Sequence, residues 1–424
     1  MFRIPVFLVV SFLATACQDQ LPYDPDADGN GFTAPSEVTV RHNAFVQEEV
    51  ESFGDQALND ASFGLIASKP DLRVTADKGK VVWDASRYRF IEGAAPGSVN
   101  PSLWRQEQLN NIHGLFRVAD GVYQLRGFDL SNMSLVRGDT GWIIVDPLTP
   151  RETAAAALSF AFEHLPQEPI VAVIYTHSHI DHFGGVFGVL TEQQAKSGGV
   201  RIIAPQGFME EATSENLIAG PAMSRRAMFM YGKNLPRSER GHVGSGLGKS
   251  PAFGNFGILE PTELIESTPQ ALSIDGVDFV FQNVPGSEAP AALTFYLPAT
   301  RVFHAGDMLV QCMHNLYTLR GTKVSDALRW SNYIDQAIGL FCDAVVFMVG
   351  HNWPIRGQQR VISYMQQQRD LYKFLHDQSV RLFNAGHTPG EIAELLKLPA
   401  ALSGHTYNRG YYGTVKHNAR AVYQ

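Results

Sequence analysis

The 424-residue chain is 45% hydrophobic and only 18% charged, which gives it material for a sizeable core and excludes wholesale disorder. Its formal net charge of −8, with no long Lys/Arg run, argues against nucleic acid as a partner, because phosphate binding needs clustered positive charge. Three cysteines in this length exclude a disulfide scaffold.

The N-terminus reads as a targeting segment over residues 1–17. Arg3 supplies a small positive region, and the apolar run Ile4–Ala16 is too short to span a bilayer as a helix. The small residues of Leu13-Ala14-Thr15-Ala16-Cys17 resemble a bacterial lipoprotein processing site, with Cys17 the lipidated first residue. An ordinary signal peptide cut nearby is the alternative. Either way the protein is expected to be exported, to the periplasm or as an outer-membrane lipoprotein, with membrane contact only through an N-terminal lipid anchor. Cys312 and Cys342 then remain, free to pair or to stay reduced.

Residues 18–40, rich in Asp, Gly and Pro, read as a flexible tether. An arm over 41–112 follows, with a helix expected around Asn43–Leu58 and a strand at Val81–Asp84. The chemistry-bearing domain is expected over 113–357. Its strands are read at Val118–Leu125, Ser134–Val136, Trp142–Val145 and Ile170–Tyr175, then Val277–Val284, Leu293–Leu297, Arg301–Phe303 and Ala344–Val349. Thr149 is placed to cap a helix containing Thr153–His164. Residues 191–260, with the Gly-rich stretch 241–248, read as a long insertion over one face. From 358 to 424 the pattern turns helical (Gln358–Asn384, Pro389–Leu396) and makes a homodimer plausible. Two sets of strands with helices between them suit an α/β fold built as a four-layer αββα sandwich, with an N-terminal arm and a C-terminal helical extension.

The decisive segment is Tyr175-Thr-His177-Ser-His179-Ile-Asp181-His182. An apolar strand delivers it to a sheet edge, and the two-residue spacing of His177 and His179 sends both rings to one side of an extended backbone. Asp181 and His182 follow as the chain turns. Imidazole and carboxylate together suit zinc. Three further ligand types each follow an apolar strand: Glu288 in Pro285-Gly-Ser-Glu-Ala-Pro290, Asp307 in His304-Ala-Gly-Asp307, and His351 in Gly350-His-Asn-Trp-Pro354. Small residues beside each let the backbone approach a shared centre.

This pattern resembles the metallo-β-lactamase superfamily, and its surroundings resemble the alkylsulfatases. The carriers are GFDLSNMSL (127–135), GDTGWIIVDPLT (138–149), PGSEAP, HNLYTLRG (314–321) and GHNWP. The resemblance implies two zinc ions per chain, one on His177, His179 and Glu288, the other on Asp181, His182 and His351, bridged by an acid at Asp307. It implies a small anionic amphiphile as substrate, an alkyl sulfate monoester. Such a monoanion needs a fixed cation, and Arg320 matches oxyanion geometry in a bidentate way. Asp181 and Arg320 are expected to act in catalysis. His314, Asn315 and Tyr231 are further substrate contacts, with His314 equally suited to orient a ligand.

Three departures stand out. The family's bridging acid is usually Glu, here Asp307; Ala292 stands where another acid is common; and Ser325 lies where an Arg is often found. The family also continues into a lipid-transfer-like domain beyond the length given, which leaves long-chain specificity open. A second motif, Gly386-His-Thr-Pro-Gly390, imitates a metal site but reads as a helix cap, with Thr388, Pro389 and Glu391 forming an N-cap, first-turn proline and capping box. The rivals are another hydrolase on the same site (β-lactamase, lactonase or thioesterase) and a non-catalytic lipoprotein on the same scaffold.

Overall fold

The computed structural model describes residues 27–29 and 31–424. The expected export signal lies outside them, as do residues 18–26 and 30 of the tether. The first helix, Glu37–Glu51, takes in the last four residues of that tether and is capped by Ser36, whose side chain accepts from the Thr39 N–H. The single helix expected over Asn43–Leu58 is corrected to two, this one and Gln56–Ser62. Gly54 sits between them at φ +63°, a conformation that ends a helix at little cost only for glycine.

After Leu65–Ala67 (β1), Arg73–Thr75 (β2) and Val81–Asp84 (β3) form a small hairpin. Next come Gly114–Ala119 (β4), Val122–Arg126 (β5), Met133–Arg137 (β6), Trp142–Val145 (β7), Ile170–Ile174 (β8), Arg201–Pro205 (β9) and Glu263–Ile265 (β10). They make an eight-stranded sheet in the order β1-β4-β5-β6-β7-β8-β9-β10, antiparallel as far as β7 and parallel beyond it. The arm therefore supplies an edge strand to the main sheet. The strand expected over Val118–Leu125 is a hairpin instead, because Asp120-Gly121 makes a tight turn with Ala119 paired to Val122.

Gln270–Ile274 (β11), Val277–Asn283 (β12), Leu293–Leu297 (β13), Val302–His304 (β14), Val346–Met348 (β15) and Ile355–Arg356 (β16) form the second, six-stranded sheet in chain order. The two sheets face each other, and period-2 alternation decides which side chains meet. Ile143, Val145, Ala172 and Ile174 point inward against Phe279, Phe281, Leu293 and Phe295. Trp142, Ile144 and Val173 point outward onto the helix Arg151–Phe162 through Ala154, Ala157 and Leu158. On the far side, Tyr296, Phe303 and Phe347 meet the helices Ala327–Leu340 and Gln358–Asn384. Trp330 and Tyr372 stack there with ring centroids 4.5 Å apart. Each large buried side chain of this kind contributes about 1.5–3 kcal/mol. The layers are α, β, β and α, as expected.

Two local expectations change. Thr149 does not cap the helix Arg151–Phe162: Pro150 holds the cap position, and the Thr149 N–H instead donates to Asp129 at 2.8 Å. Residues 191–260 are not all insertion, since β9 lies within the main sheet. The rest carries the helices Phe208–Thr213 and Gly220–Met230, then an irregular stretch pinned down by Glu107, Gln106 and Asn352 through the backbone of Gly246. The cap reading of 386–390 holds, with the reciprocal Thr388–Glu391 bonds in place. Cys312 is buried, Cys342 exposed, and both are free.

Candidate metal centre

The centre lies where the C-terminal ends of the middle strands of both sheets meet. The His-rich loop leaving β8 pairs with the backbone leading into β13: the Leu293 N–H donates to Thr176 and the Ser178 N–H to Ala291. That pairing sets Glu288, in the loop just before, against the histidines. Its Oε2 is 3.3 Å from His177 Nε2 and its Oε1 2.9 Å from His179 Nδ1. Asp181 Oδ2 lies 3.4 Å from both His182 Nε2 and His351 Nε2. Asp307 Oδ2 stands between the two groups, 2.8 Å from His351, 3.2 Å from His182 and 3.8 Å from His177. Gly350 is what permits this approach, since a Cβ there would fall 2.3 Å from Asp307 Oδ1.

Hydrogen bonds behind the rings decide which nitrogens face inward. Asp146, held at φ +55° directly after β7, accepts from Thr176 Oγ1 at 2.7 Å and from His182 Nδ1 at 2.9 Å. Thr176 Oγ1, having donated that proton, accepts from His177 Nδ1 at 2.9 Å. His351 Nδ1 donates to the Leu130 carbonyl at 3.0 Å. His177, His182 and His351 therefore direct Nε2 toward the centre, whereas His179 directs Nδ1. Burial, reinforced by His182, pushes the His177 pKa down to about 4. Burial also opposes charge on His182 and His351, but the carboxylate of Asp307 outweighs it and raises both. Glu288 is driven down to about 2 despite burial by His179 and His177.

These residues fit a metal. Ligand atoms of His177, His179 and Glu288, of His177, His182 and Asp307, and of Asp181, His182 and His351 form groups each spanning no more than 4.8 Å. His177 Nε2, His182 Nε2, Glu288 Oε2 and Asp307 Oδ1 are buried without a hydrogen-bond partner. Three carboxylates and four imidazoles gathered out of water need a cation between them.

On the open side lies a narrow cleft of about 10 Å³ of free volume, lined by His179, Glu288, His314, Asn315, Arg320 and Tyr412 among others. Its size means a sulfo group enters only if side chains give way. His314 Nε2 lies 3.4 Å from Glu288 Oε1, and its Nδ1 is tied to the Asn315 carbonyl at 2.8 Å, so it serves the Glu288 carboxylate. Arg320 Nη1 is 3.6 Å from Glu215 Oε2. Burial works against its charge, but Tyr231 and Glu215 overcome it, and the guanidinium stays protonated. Tyr231 reaches Tyr412, with 3.0 Å between the hydroxyl oxygens.

All eleven residues singled out from sequence thus gather in one region. Sequence reasoning missed Asp146, Thr176, Glu215 and Tyr412. Asp146 ends a recognisably apolar strand, which was a usable signal. Glu215 sits in a π-helical turn, Ser214–Ile218, inside the stretch read as insertion, and nothing local marked it.

Residues 126–351 match the family described as the metallo-beta-lactamase superfamily. The chain belongs to that superfamily. Residues 388–424 match a second family, alkyl sulfatase dimerisation. The chain is 46% identical over 388 residues to the alkyl/aryl-sulfatase BDS1 of Saccharomyces cerevisiae, covering 91% of this chain and 60% of that one. It is 47% identical over 375 residues to a linear primary-alkylsulfatase of a Pseudomonas species, covering 88% and 56%. The solved stereoselective inverting sec-alkylsulfatase Pisa1, also from Pseudomonas, superposes with a TM-score of 0.91 at 43% identity, covering 94% of this chain and 63% of that one. The likeness to the alkylsulfatase branch is borne out, and the chain spans about six-tenths of the length of these relatives.

Proposed function

We propose that this chain is the catalytic part of a dinuclear zinc hydrolase that cleaves alkyl sulfate monoesters to an alcohol and inorganic sulfate. The observation that carries this is a buried, partnerless ligand set opening directly onto a cleft that holds Arg320. His177, His179 and Glu288 would hold one zinc, Asp181, His182 and His351 the other, with Asp307 between them. Zinc in such a pair supplies a lowered water pKa and Lewis acidity toward an ester oxygen. The protein does the rest. Asp146, Thr176 and Leu130 fix the histidine tautomers, and His314 steadies Glu288. Arg320, kept charged by Glu215 and Tyr231, binds the sulfo oxygens in its planar fork. Asn315 and the Tyr231–Tyr412 pair offer further polar contacts along the cleft.

A groove of about 610 Å³ adjoins Tyr231, between the 229–244 segment and the arm, with Phe229, Leu235, Val99 and Leu103 in its walls. The lining is mixed, with Glu239, Arg240 and His242 beside the apolar side chains, and its apolar part suits an alkyl tail whose sulfate end sits at Arg320. The match of residues 388–424 supports a homodimer, and the N-terminal run ending at Cys17 supports export and lipid anchoring.

The test is zinc content by elemental analysis together with sulfate release from alkyl sulfates of graded chain length, beside His179→Ala. About two zinc ions per chain and chelator-sensitive sulfate release, lost in the variant, are expected. Two ions without sulfate release would turn the reading to esters, lactones and β-lactams. No bound metal after reconstitution would overturn it.

A further inference from the structure

Against the 127–132 loop, whose Leu130 backs His351, lies a separate cavity of about 20 Å³, room for one small ligand. Arg126, the last residue of β5, and Lys249, from the irregular stretch, both line it. Both are essentially buried. Among the described residues, Arg126 makes no hydrogen bond and no ion pair; Nε and Nη2 are sealed from solvent without an acceptor. Its one charge-related contact is the Phe116 ring, which lies under the guanidinium at 3.2 Å. An aromatic face attracts a cation but does not neutralise it. Lys249 gives a single hydrogen bond, to the Asn110 carbonyl at 3.3 Å, and leaves two ammonium hydrogens over.

The neighbouring acids make no hydrogen bond to the Arg126 guanidinium. Asp129 is committed to three backbone donors, Leu130, Thr149 and Ala252, at 2.7–2.8 Å. Glu107 accepts from the Gly246 N–H at 2.7 Å, and burial raises its carboxyl to about 8, so it is largely uncharged at neutral pH. His113, nearby, is kept neutral by burial. A buried, unpaired guanidinium is strongly unfavourable, and a water molecule would satisfy its N–H groups without balancing its charge.

We propose that this cavity is a binding site for a small monovalent anion of the halide class, held by the Arg126 guanidinium. The site is structural in its effect. Its wall is the 127–132 loop, whose Leu130 carbonyl accepts a hydrogen bond from His351 Nδ1 and whose Asn132 side chain donates to the Asn352 carbonyl at 3.0 Å. An anion bound there offsets the Arg126 charge against the 127–132 loop and stiffens the segment that orients His351. None of this depends on the identity of the substrate.

The experiment uses the full chain loaded with zinc. Melting temperature is measured in sodium chloride, sodium bromide and sodium gluconate at equal ionic strength, and crystals soaked in bromide are examined for anomalous scattering. The expected result is a bromide peak beside Arg126 in this cavity, with melting about 2 °C higher in either halide than in gluconate. Arg126→Met should abolish the halide difference. Arg126→Lys, which keeps the charge, should retain part of it and guards against a variant that simply fails to fold. No bromide peak in the cavity overturns the proposal, and so does a peak without any halide effect on melting, which would mark an adventitious ion only.

Discussion

The two halves of the candidate centre are built differently. Asp181, His182 and His351 are each backed by a buried partner: Asp146 behind His182, the Leu130 carbonyl behind His351, and Ser131 Oγ donating to the Asp181 carbonyl at 2.5 Å. Asp307 leans the same way, 2.8 Å from His351 against 3.8 Å from His177. The His177, His179 and Glu288 half faces the cleft, and its outer neighbours are side chains, His314 and Glu215, rather than backbone. One half thus leans on the 127–132 loop and Asp146, and the other on side chains along the cleft.

The comparison can be broken most directly by losing one ligand from each half. His351→Ala is expected to lower sulfate release by about three orders of magnitude, the several kcal/mol that metal activation represents, and to lose more zinc than His179→Ala does. Equal zinc loss from the two variants would mean the halves are equally held. Asp146→Asn leaves every ligand in place but removes an acceptor shared by Thr176 and His182. Metal affinity measured by chelator competition should fall about 10–100-fold, with roughly 2 kcal/mol lost in denaturant unfolding.

Effects on the cleft side should spare the metal. Arg320→Lys keeps a charge but loses the planar fork, and should cost about tenfold or somewhat more in kcat/KM with zinc content unchanged. Glu215→Gln removes the carboxylate that faces both Arg320 and His179, and a loss of up to about tenfold in kcat/KM is expected. A drop in zinc content in either variant would show that the outer half depends on these side chains for metal as well. Outside both halves, Thr388→Ala removes a capping box and should lower stability by about 1 kcal/mol in a thermal melt without changing activity.

Much of this centre was legible in the chain. His177, His179, Asp181 and His182 lie within six residues, so no folding argument was needed to bring them together. Glu288, Asp307 and His351 were readable because each follows an apolar strand and a small residue, and middle strands of a sandwich end at a common edge. The helix Gln358–Asn384 and the strands Trp142–Val145 and Leu293–Leu297 showed their bounds through periodicity alone. The reading failed where a local signal competed with a tertiary one. Thr149 is a good helix cap by type, yet its backbone is claimed by Asp129, twenty residues earlier.

Ligand identity and strand order along the chain were thus set by sequence, because adjacent residues and period-2 burial carry that information directly. Tertiary structure alone decided which nitrogen each histidine presents and that Asp146 reaches His182 across 36 positions. It also placed Glu215 between a ligand and an arginine, and left Arg126 buried without a counter-charge. Those outcomes depend on side-chain direction after two sheets and an arm have packed, and no spacing in the chain encodes that direction.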